Sequence, residues 1–357
     1  MHYLVIDIII ITHFICDNGF WDMDIVHSLL MLFGGVGLFL YGLVRFEESV
    51  EGSSSEFLQK FIEISTKTTF RGFVTGIFST IVMQSSSLVT VIVLWLVWGN
   101  MMGLLQAVWV ILWTNVWTTF TARLVSLWWV KFNVDILALP LLWLWWFLAL
   151  LKKKTGAWHN FVVFILGFGF ILLGLEYMKE SFAFLQTAID LSLYHDLPTI
   201  FFLLLSILLT VVVQSSTAMT TIILAAFFAN AITFDAALVM VIWANIGTTI
   251  TAVLWALWWS YVQKQVAGFH VLFNVVTGVI VYAMLPIFVW VISSIWLEKP
   301  IIQLAMFHTL FNLFGVLLFM PLLSHVLRFL QRTFPEWRDF WSYFPWLKKF
   351  LHHDDVI

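Results

Sequence analysis

Gln84-Ser85-Ser86-Ser87 is the stretch on which the fold turns. It interrupts an apolar run, with Gly76-Ile77-Phe78-Ser79-Thr80-Ile81-Val82-Met83 before it and Leu88-Val89-Thr90-Val91-Ile92-Val93-Leu94-Trp95-Leu96 after it. Four hydrogen-bonding side chains in a row at the depth of a bilayer are costly unless something there uses them. The same thing happens at Gln214-Ser215-Ser216-Thr217, an offset of 130, again between two apolar arms. The rest of the chain is organised around that pair.

Composition supports a membrane setting. Of 357 residues, 62% are hydrophobic and only 10% charged, against roughly a quarter charged in soluble domains. Mean hydropathy is +0.99, and apolar stretches about twenty residues long recur throughout, as in polytopic α-helical membrane proteins. The short alternating segments of a transmembrane barrel are absent. The net charge of −3 is uninformative, because in a membrane protein the sidedness of charge matters more. A single cysteine, Cys16, excludes an internal disulfide framework and a cysteine-based metal site. No basic, aromatic-interleaved patch suggests nucleic acid.

Two arms of some 12 to 15 residues, each about 20 Å long, fall short of the ~30 Å hydrocarbon core. Joined at a polar tip, they describe a re-entrant hairpin, with irregular backbone tolerated where it lines a cavity. Around the first hairpin (about 70–98) lie a span at 28–46 with Gly34, Gly35, Gly37 and Gly42, a span at 104–128 interrupted at 114–119, and a span at 135–151. Gly169-Phe170-Ile171-Leu172-Leu173-Gly174-Leu175 then echoes Gly37-Leu38-Phe39-Leu40-Tyr41-Gly42-Leu43 at an offset of 132. A second hairpin (199–228), a broken span (234–258) and a further span (266–292) follow.

The expected architecture is all-α: repeat one at 28–151, repeat two at 158–292, an extra helix at 301–324, a leader or interfacial segment at 1–27 and a cytoplasmic tail at 325–357. Three crossings per repeat invert the second repeat, the plan of many secondary transporters. Charge agrees: Arg45, Lys60, Lys67, Arg71, Lys152, Lys153, Lys154, Lys264, Arg328 and Arg332 fall inside, and Lys131, Lys179 and Lys299 outside, a positive-inside bias.

A lone Gln-Ser-Ser-Ser reads equally well as interhelical glue. Two copies in matching positions, each followed 28 residues later by Asn-x-x-Thr-Thr (Asn115-Thr118-Thr119, Asn245-Thr248-Thr249), favour a binding site. A break at each tip exposes a half-helix N-terminus, whose N–H groups and positive dipole end suit an oxyanion. Hydroxyls donate to the anion, while freed carbonyls and Gln and Asn oxygens suit a hard cation such as Na⁺. His270 and His308, each with an Asn one turn on, read as packing residues, and Arg123 as snorkelling toward an interface. No nucleophile, base and carboxylate stand at recognisable spacing, and the spans hold no paired carboxylates, so an enzyme has nothing to work with.

The doubled Gln-Ser-Ser-Ser, the Ala244-Asn245-Ile246-Gly247-Thr248-Thr249 box, and His270-Val271-Leu272-Phe273-Asn274 with His308-Thr309-Leu310-Phe311-Asn312 resemble the type II sodium–phosphate cotransporter family in its bacterial form. The resemblance covers about 28–324. It implies a Na⁺-coupled phosphate transporter, without a cofactor, whose substrate and ions bind between the hairpins. By matching position, the site comprises Gln84, Ser85, Ser86, Ser87, Gln214, Ser215, Ser216 and Thr217, supported by Asn115, Thr118, Thr119, Asn245, Thr248 and Thr249. Na⁺ is expected at Gln84, Ser85, Gln214, Ser215, Asn115 and Asn245. Many members also carry a cytoplasmic helical domain resembling a phosphate-regulatory protein, for which the residues after 324 are too few. A transporter of a related oxyanion, a phosphate exporter and an anion channel are the alternatives, and oligomeric state is left open.

Tryptophan departs from this pattern. There are 21 Trp against 18 Gly, although transmembrane helices favour glycine. The family box reads Gly-Ala-Asn-Ile-Gly-Thr-Thr, whereas this chain has Trp113 and Trp117 at both glycines of the first copy and Trp243 at the first glycine of the second. Trp258 and Trp259 likewise stand where small residues are expected. The hypothesis is that several of these are glycine in the living cell, a TGA codon read there as glycine having been translated as tryptophan. TGG codons at 113, 117 and 243 would sink it.

Overall fold

The computed structural model describes residues 23–51, 86–99, 101–131, 134–150, 156–188, 197–256, 260–295 and 299–335. Regular structure among them is entirely α-helical: α1 (Met23–Glu51), α2 (Ser86–Trp98), α3 (Leu104–Lys131), α4 (Val134–Leu150), α5 (Ala157–Ala188), α6 (Thr199–Val213), α7 (Ser216–Phe228), α8 (Phe234–Gly247), α9 (Thr249–Ala256), α10 (Tyr261–Ala283), α11 (Leu285–Ser294) and α12 (Pro300–Thr333). Most of the leader, the first arm of the first hairpin with Gln84 and Ser85, Trp258-Trp259 and most of the tail lie outside the described residues.

Five segments among these are long and apolar enough to cross a bilayer: Val26–Ser49, Trp158–Leu185, Phe234–Leu254, Tyr261–Ala283 and Pro300–Thr333. Leu204, Leu208 and Val212 on α6 and Trp143 and Phe147 on α4 face outward, as suits a lipid-facing surface. Inside are two apolar clusters. One gathers side chains from α1, α5, α7 and α8, the other from α2, α3, α10 and α12.

Glycine decides how α1 meets α5. A Cβ on Gly42 would lie 2.6 Å from the Ile171 nitrogen and 2.7 Å from the Gly167 oxygen. One on Gly174 would lie 2.5 Å from the Phe39 nitrogen and 2.6 Å from the Gly35 oxygen. The two helices therefore run antiparallel with their backbones touching, Gly35 opposite Gly174 and Gly42 opposite Gly167. Close approach of this kind supplies the dispersion contact that holds membrane helices together. Gly34 and Gly37, grouped with the others in the sequence reading, have nothing within 4 Å and play no part in the seam.

A second antiparallel pair is α10 with α12. A Cβ on Gly315 would meet Thr277 at 2.7 Å, the Phe319 ring contacts Phe273 and Phe269, and the Gln265 amide donates to the Phe334 carbonyl at 2.7 Å. Both helices also pack against α3 and α8.

Two elements differ in extent from expectation. The span expected at 266–292 is two helices, α10 stopping at Ala283 and α11 beginning with Pro286 in its first turn. Proline lacks an N–H and clashes with the preceding turn, so it opens a helix more readily than it continues one. The helix expected at 301–324 runs on to Thr333. Helix α4 has 17 residues with Pro140 inside, about 26 Å long, and packs mainly on α5.

Candidate functional site

At the second motif the helix breaks where the sequence indicates. α6 ends at Val213, Gln214 is left-handed at φ 56°, and its N–H closes onto the Thr210 carbonyl at 2.7 Å. That conformation costs a non-glycine residue about 1–2 kcal/mol. Ser215 is extended and its hydroxyl accepts from the Ala218 N–H at 3.2 Å, capping α7. The arms have 15 and 13 residues, about 22 and 20 Å, each too short to cross. Gln214 is exposed, whereas Ser216 and Thr217 are buried. In the first copy the described residues run from Ser86, in α2.

The 28-residue spacing now has a physical reason. α7 runs 13 residues from the tip, turns through 229–233, and α8 returns 14 residues packed against it. The return brings Asn245, Thr248 and Thr249 level with Ser216 and Thr217. α2 and α3 repeat the arrangement, bringing Asn115, Thr118 and Thr119 level with Ser86.

The threonines of the two Asn-x-x-Thr-Thr boxes bond alike, although the Asn115 amide donates to the Ile111 carbonyl at 3.0 Å. Thr118 donates to the Asn115 carbonyl (2.9 Å) and Thr248 to that of Asn245 (2.8 Å). Thr119 donates to the Val116 carbonyl and Thr249 to that of Ile246, both at 2.7 Å. Asn115, Thr118, Thr119, Asn245, Thr248 and Thr249 are all buried.

The expected interruption at 114–119 is nevertheless absent. α3 is continuous through the first box, whereas α8 stops at Gly247 with a turn at Thr248. The difference lies at one aligned position. A Cβ on Gly247 would be 2.5 Å from the Thr210 Cβ, so α6 rides directly on the α8 backbone there. The aligned residue in the first copy is Trp117, a fair helix former compared with glycine, whose ring stacks on Phe120 at 5.1 Å. Its indole nitrogen is buried without a hydrogen-bond partner among the described residues, as is that of Trp243. A site that admits no methyl group in one copy holds an indole in the other.

Both boxes converge on α12. The Asn245 amide donates to the Asn312 side-chain oxygen at 2.9 Å, and the Thr309 hydroxyl donates to the Thr119 hydroxyl at 2.9 Å. Thr309 and Asn312 stand almost one turn apart, so a single helix surface touches both boxes. Sequence reading had quoted the segment holding these two residues but weighed only its histidine. It also missed Thr220, one turn beyond Ser216, and its counterpart Thr90 at the same offset of 130. Thr90 donates to the Ser86 carbonyl at 2.8 Å. Thr220 is fully buried and its hydroxyl has no partner among the described residues.

The histidines correct the packing reading. Each Asn donates to its own motif's His carbonyl, Asn274 to His270 and Asn312 to His308. His270 Nδ1 and both ring nitrogens of His308 are buried without partners among the described residues.

A family model described as Na⁺/Pi-cotransporter matches residues 38–180 and 198–323. The chain is also 28% identical over 303 residues to an uncharacterized protein of Bacillus subtilis (strain 168), YqeW, covering 83% of this chain and 95% of that protein. No solved structure matches. The duplicated tips and boxes lie within the matched segments, and with five helices apolar enough to cross a bilayer the chain is a multi-pass membrane protein belonging to the Na⁺/Pi-cotransporter family.

Proposed function

We propose that the protein is a Na⁺-coupled inorganic phosphate symporter of the plasma membrane, working by alternating access between two inverted repeats. The observation that carries this reading is the convergence of both Asn-x-x-Thr-Thr boxes on one face of α12, which draws the two halves of a duplicated polar site together.

The inverted repeats have their own support. Exchanging residues by the offset of 132 turns Gly35 into Gly167 and Gly42 into Gly174, and so maps the α1–α5 contact onto itself. A two-fold axis generates such reciprocal contacts. The α10–α12 pair behaves likewise about Thr277 and Gly315, with His270-Asn274 and His308-Asn312 equally spaced from that crossing. The repeats at 28–151 and 158–292 therefore carry one refinement: α12, beginning in the extra segment 301–324, is the counterpart of α10, while α4 stands outside the symmetric core.

In this mechanism phosphate sits at the N-terminal turns of α7 and α2, held by free N–H groups and by Ser85, Ser86, Ser87, Ser215, Ser216 and Thr217. Na⁺ takes neutral oxygens from Gln84, Ser85, Gln214, Ser215, Asn115 and Asn245. None of these groups is charged, so each ion offsets the charge of the other and anion binding depends on Na⁺. Thr118, Thr119, Thr248 and Thr249 support the boxes.

Labelled phosphate uptake into proteoliposomes tests this, with an inward Na⁺ gradient and then with K⁺ in its place. Uptake should require Na⁺ and fall by at least about tenfold in Gln84→Ala and in Gln214→Ala, the loss of one hydrogen-bonded ion contact or more. Uptake indifferent to Na⁺ would favour a channel, and Na⁺-driven sulfate or arsenate uptake a related oxyanion. Thr220→Val supplies a finer check. Replacing an unpartnered hydroxyl with a methyl should leave thermal stability unchanged or raise it by about 1 kcal/mol, while uptake falls several-fold because the hydroxyl serves a bound ion.

A further inference from the structure

Arg123 lies on α3 one turn beyond Thr119, about 12 Å before the helix ends at Lys131. Its Nε is buried without a hydrogen-bond partner among the described residues, and its guanidinium rests over the Phe120 ring at 5.5 Å. Neither α3 nor α12 contains an acidic residue, and no carboxylate pairs with Arg123 among the described residues. An uncompensated charge at that depth is expensive.

His308 lies on α12, which packs against α3, and is fully buried and stacked on Phe311 at 5.5 Å. A neutral imidazole always carries one N–H and one lone pair, and here both are orphaned. Thr309, next to His308, donates to the hydroxyl of Thr119, one turn before Arg123, at 2.9 Å, so Arg123 and His308 flank one contact of the seam. The unmet guanidinium and imidazole nitrogens imply a missing ligand. Its sign follows from the arginine: a cation would be repelled, whereas an oxyanion would take the guanidinium and imidazole N–H groups as charge-assisted donors.

We propose that Arg123 and His308 form an oxyanion site at the α3–α12 seam, next to the Thr119–Thr309 contact that supports the first box. Arg123 is only partly buried and forms the mouth, while His308 closes the inner end. The site differs from the tips in one measurable respect. It carries its own positive charge, so it holds an anion without Na⁺, whereas the neutral tips need the cation.

Equilibrium binding of labelled inorganic phosphate to the purified full chain tests this, in K⁺ medium and then in Na⁺ medium. A Na⁺-independent component is expected, unaffected by Gln214→Ala, weakened about tenfold by Arg123→Gln and several-fold by His308→Gln, as loss of charged hydrogen bonds implies. Arg123→Lys keeps the charge and should recover most of the binding, which separates lost charge from misfolding. A lipid headgroup presents the same phosphate chemistry. Anionic lipid retained by the native chain in mass spectrometry and released by Arg123→Gln would place the site there and uphold it equally. Absence of both ligands, or binding indifferent to Arg123→Gln and His308→Gln, overturns the proposal. Absence of a Na⁺-dependent component from the unaltered chain would instead count against the symporter reading and leave this site standing.

Discussion

Trp117→Gly is expected to stabilise the protein and to raise phosphate uptake, the reverse of what removing a buried aromatic normally does. Were the indole native, its loss would cost about 3–5 kcal/mol of packing, and a mid-helix glycine about 1 kcal/mol more. The local structure argues for the other sign. The indole nitrogen is orphaned, a penalty of about 1–3 kcal/mol. In the matching copy, Gly247 takes the Thr210 side chain directly onto the helix backbone, and Thr80, the counterpart of Thr210, is also threonine. Glycine at 117 would give α3 the same bare backbone that α8 presents to Thr210. Thermal midpoint should rise by a few degrees, at about 2–4 °C per kcal/mol for a chain of moderate size. Na⁺-driven uptake should rise by at least about tenfold, since a misplaced binding element costs that much or more. Trp243→Gly should act in the same direction, its nitrogen being orphaned too. A fall in midpoint for Trp117→Gly, or TGG codons at 113, 117 and 243, would restore tryptophan as the native residue.

What the sequence reveals here depends on how a signal is encoded. The second tip was legible because a polar motif repeated in matching positions outweighs the reading as interhelical glue, and the break at Gln214-Ser215 appears where it stands. The boxes were legible because the spacing repeats. The continuity of α3 was not, since the expected interruption assumed glycine chemistry at a position occupied by Trp117. The break before α11 was signalled by Pro286 and was overridden by the long apolar run around it. Thr309 and Asn312 were missed because a helix buried on several sides shows no single polar face. A threonine and an asparagine on such a helix look like packing residues until two other helices are seen to bond to them. The pairing of α10 with α12 was hidden for a different reason: their motifs recur at an offset of 38, and attention to the offsets of 130 and 132 drew α10 toward α4 instead.

The seam between α1 and α5 carries the second large effect. Gly174→Ala places a methyl 2.5 Å from the Phe39 nitrogen and 2.6 Å from the Gly35 oxygen. Both are backbone atoms, so no side chain can swing aside and the helices must separate along their length. Overpacking of this kind costs about 1–3 kcal/mol when neighbours can relax, and more when they cannot, so a drop in thermal midpoint of the order of 5–10 °C is expected. Gly42→Ala meets the Ile171 nitrogen at 2.6 Å and the Gly167 oxygen at 2.7 Å, and should cost nearly the same. Gly34→Ala and Gly37→Ala enter open space and should be neutral or slightly stabilising, because alanine favours a helix by about 1 kcal/mol over glycine. Those four variants separate contact from propensity within one helix pair. The double variant Gly42→Ala with Gly174→Ala should lose less than the two single losses combined, since helices already forced apart have less contact left to lose. Equal costs at 42 and 174 are what a two-fold axis between inverted repeats requires. A large loss at one and none at the other would mean that the seam is not reciprocal, and alternating access would then need a different moving part.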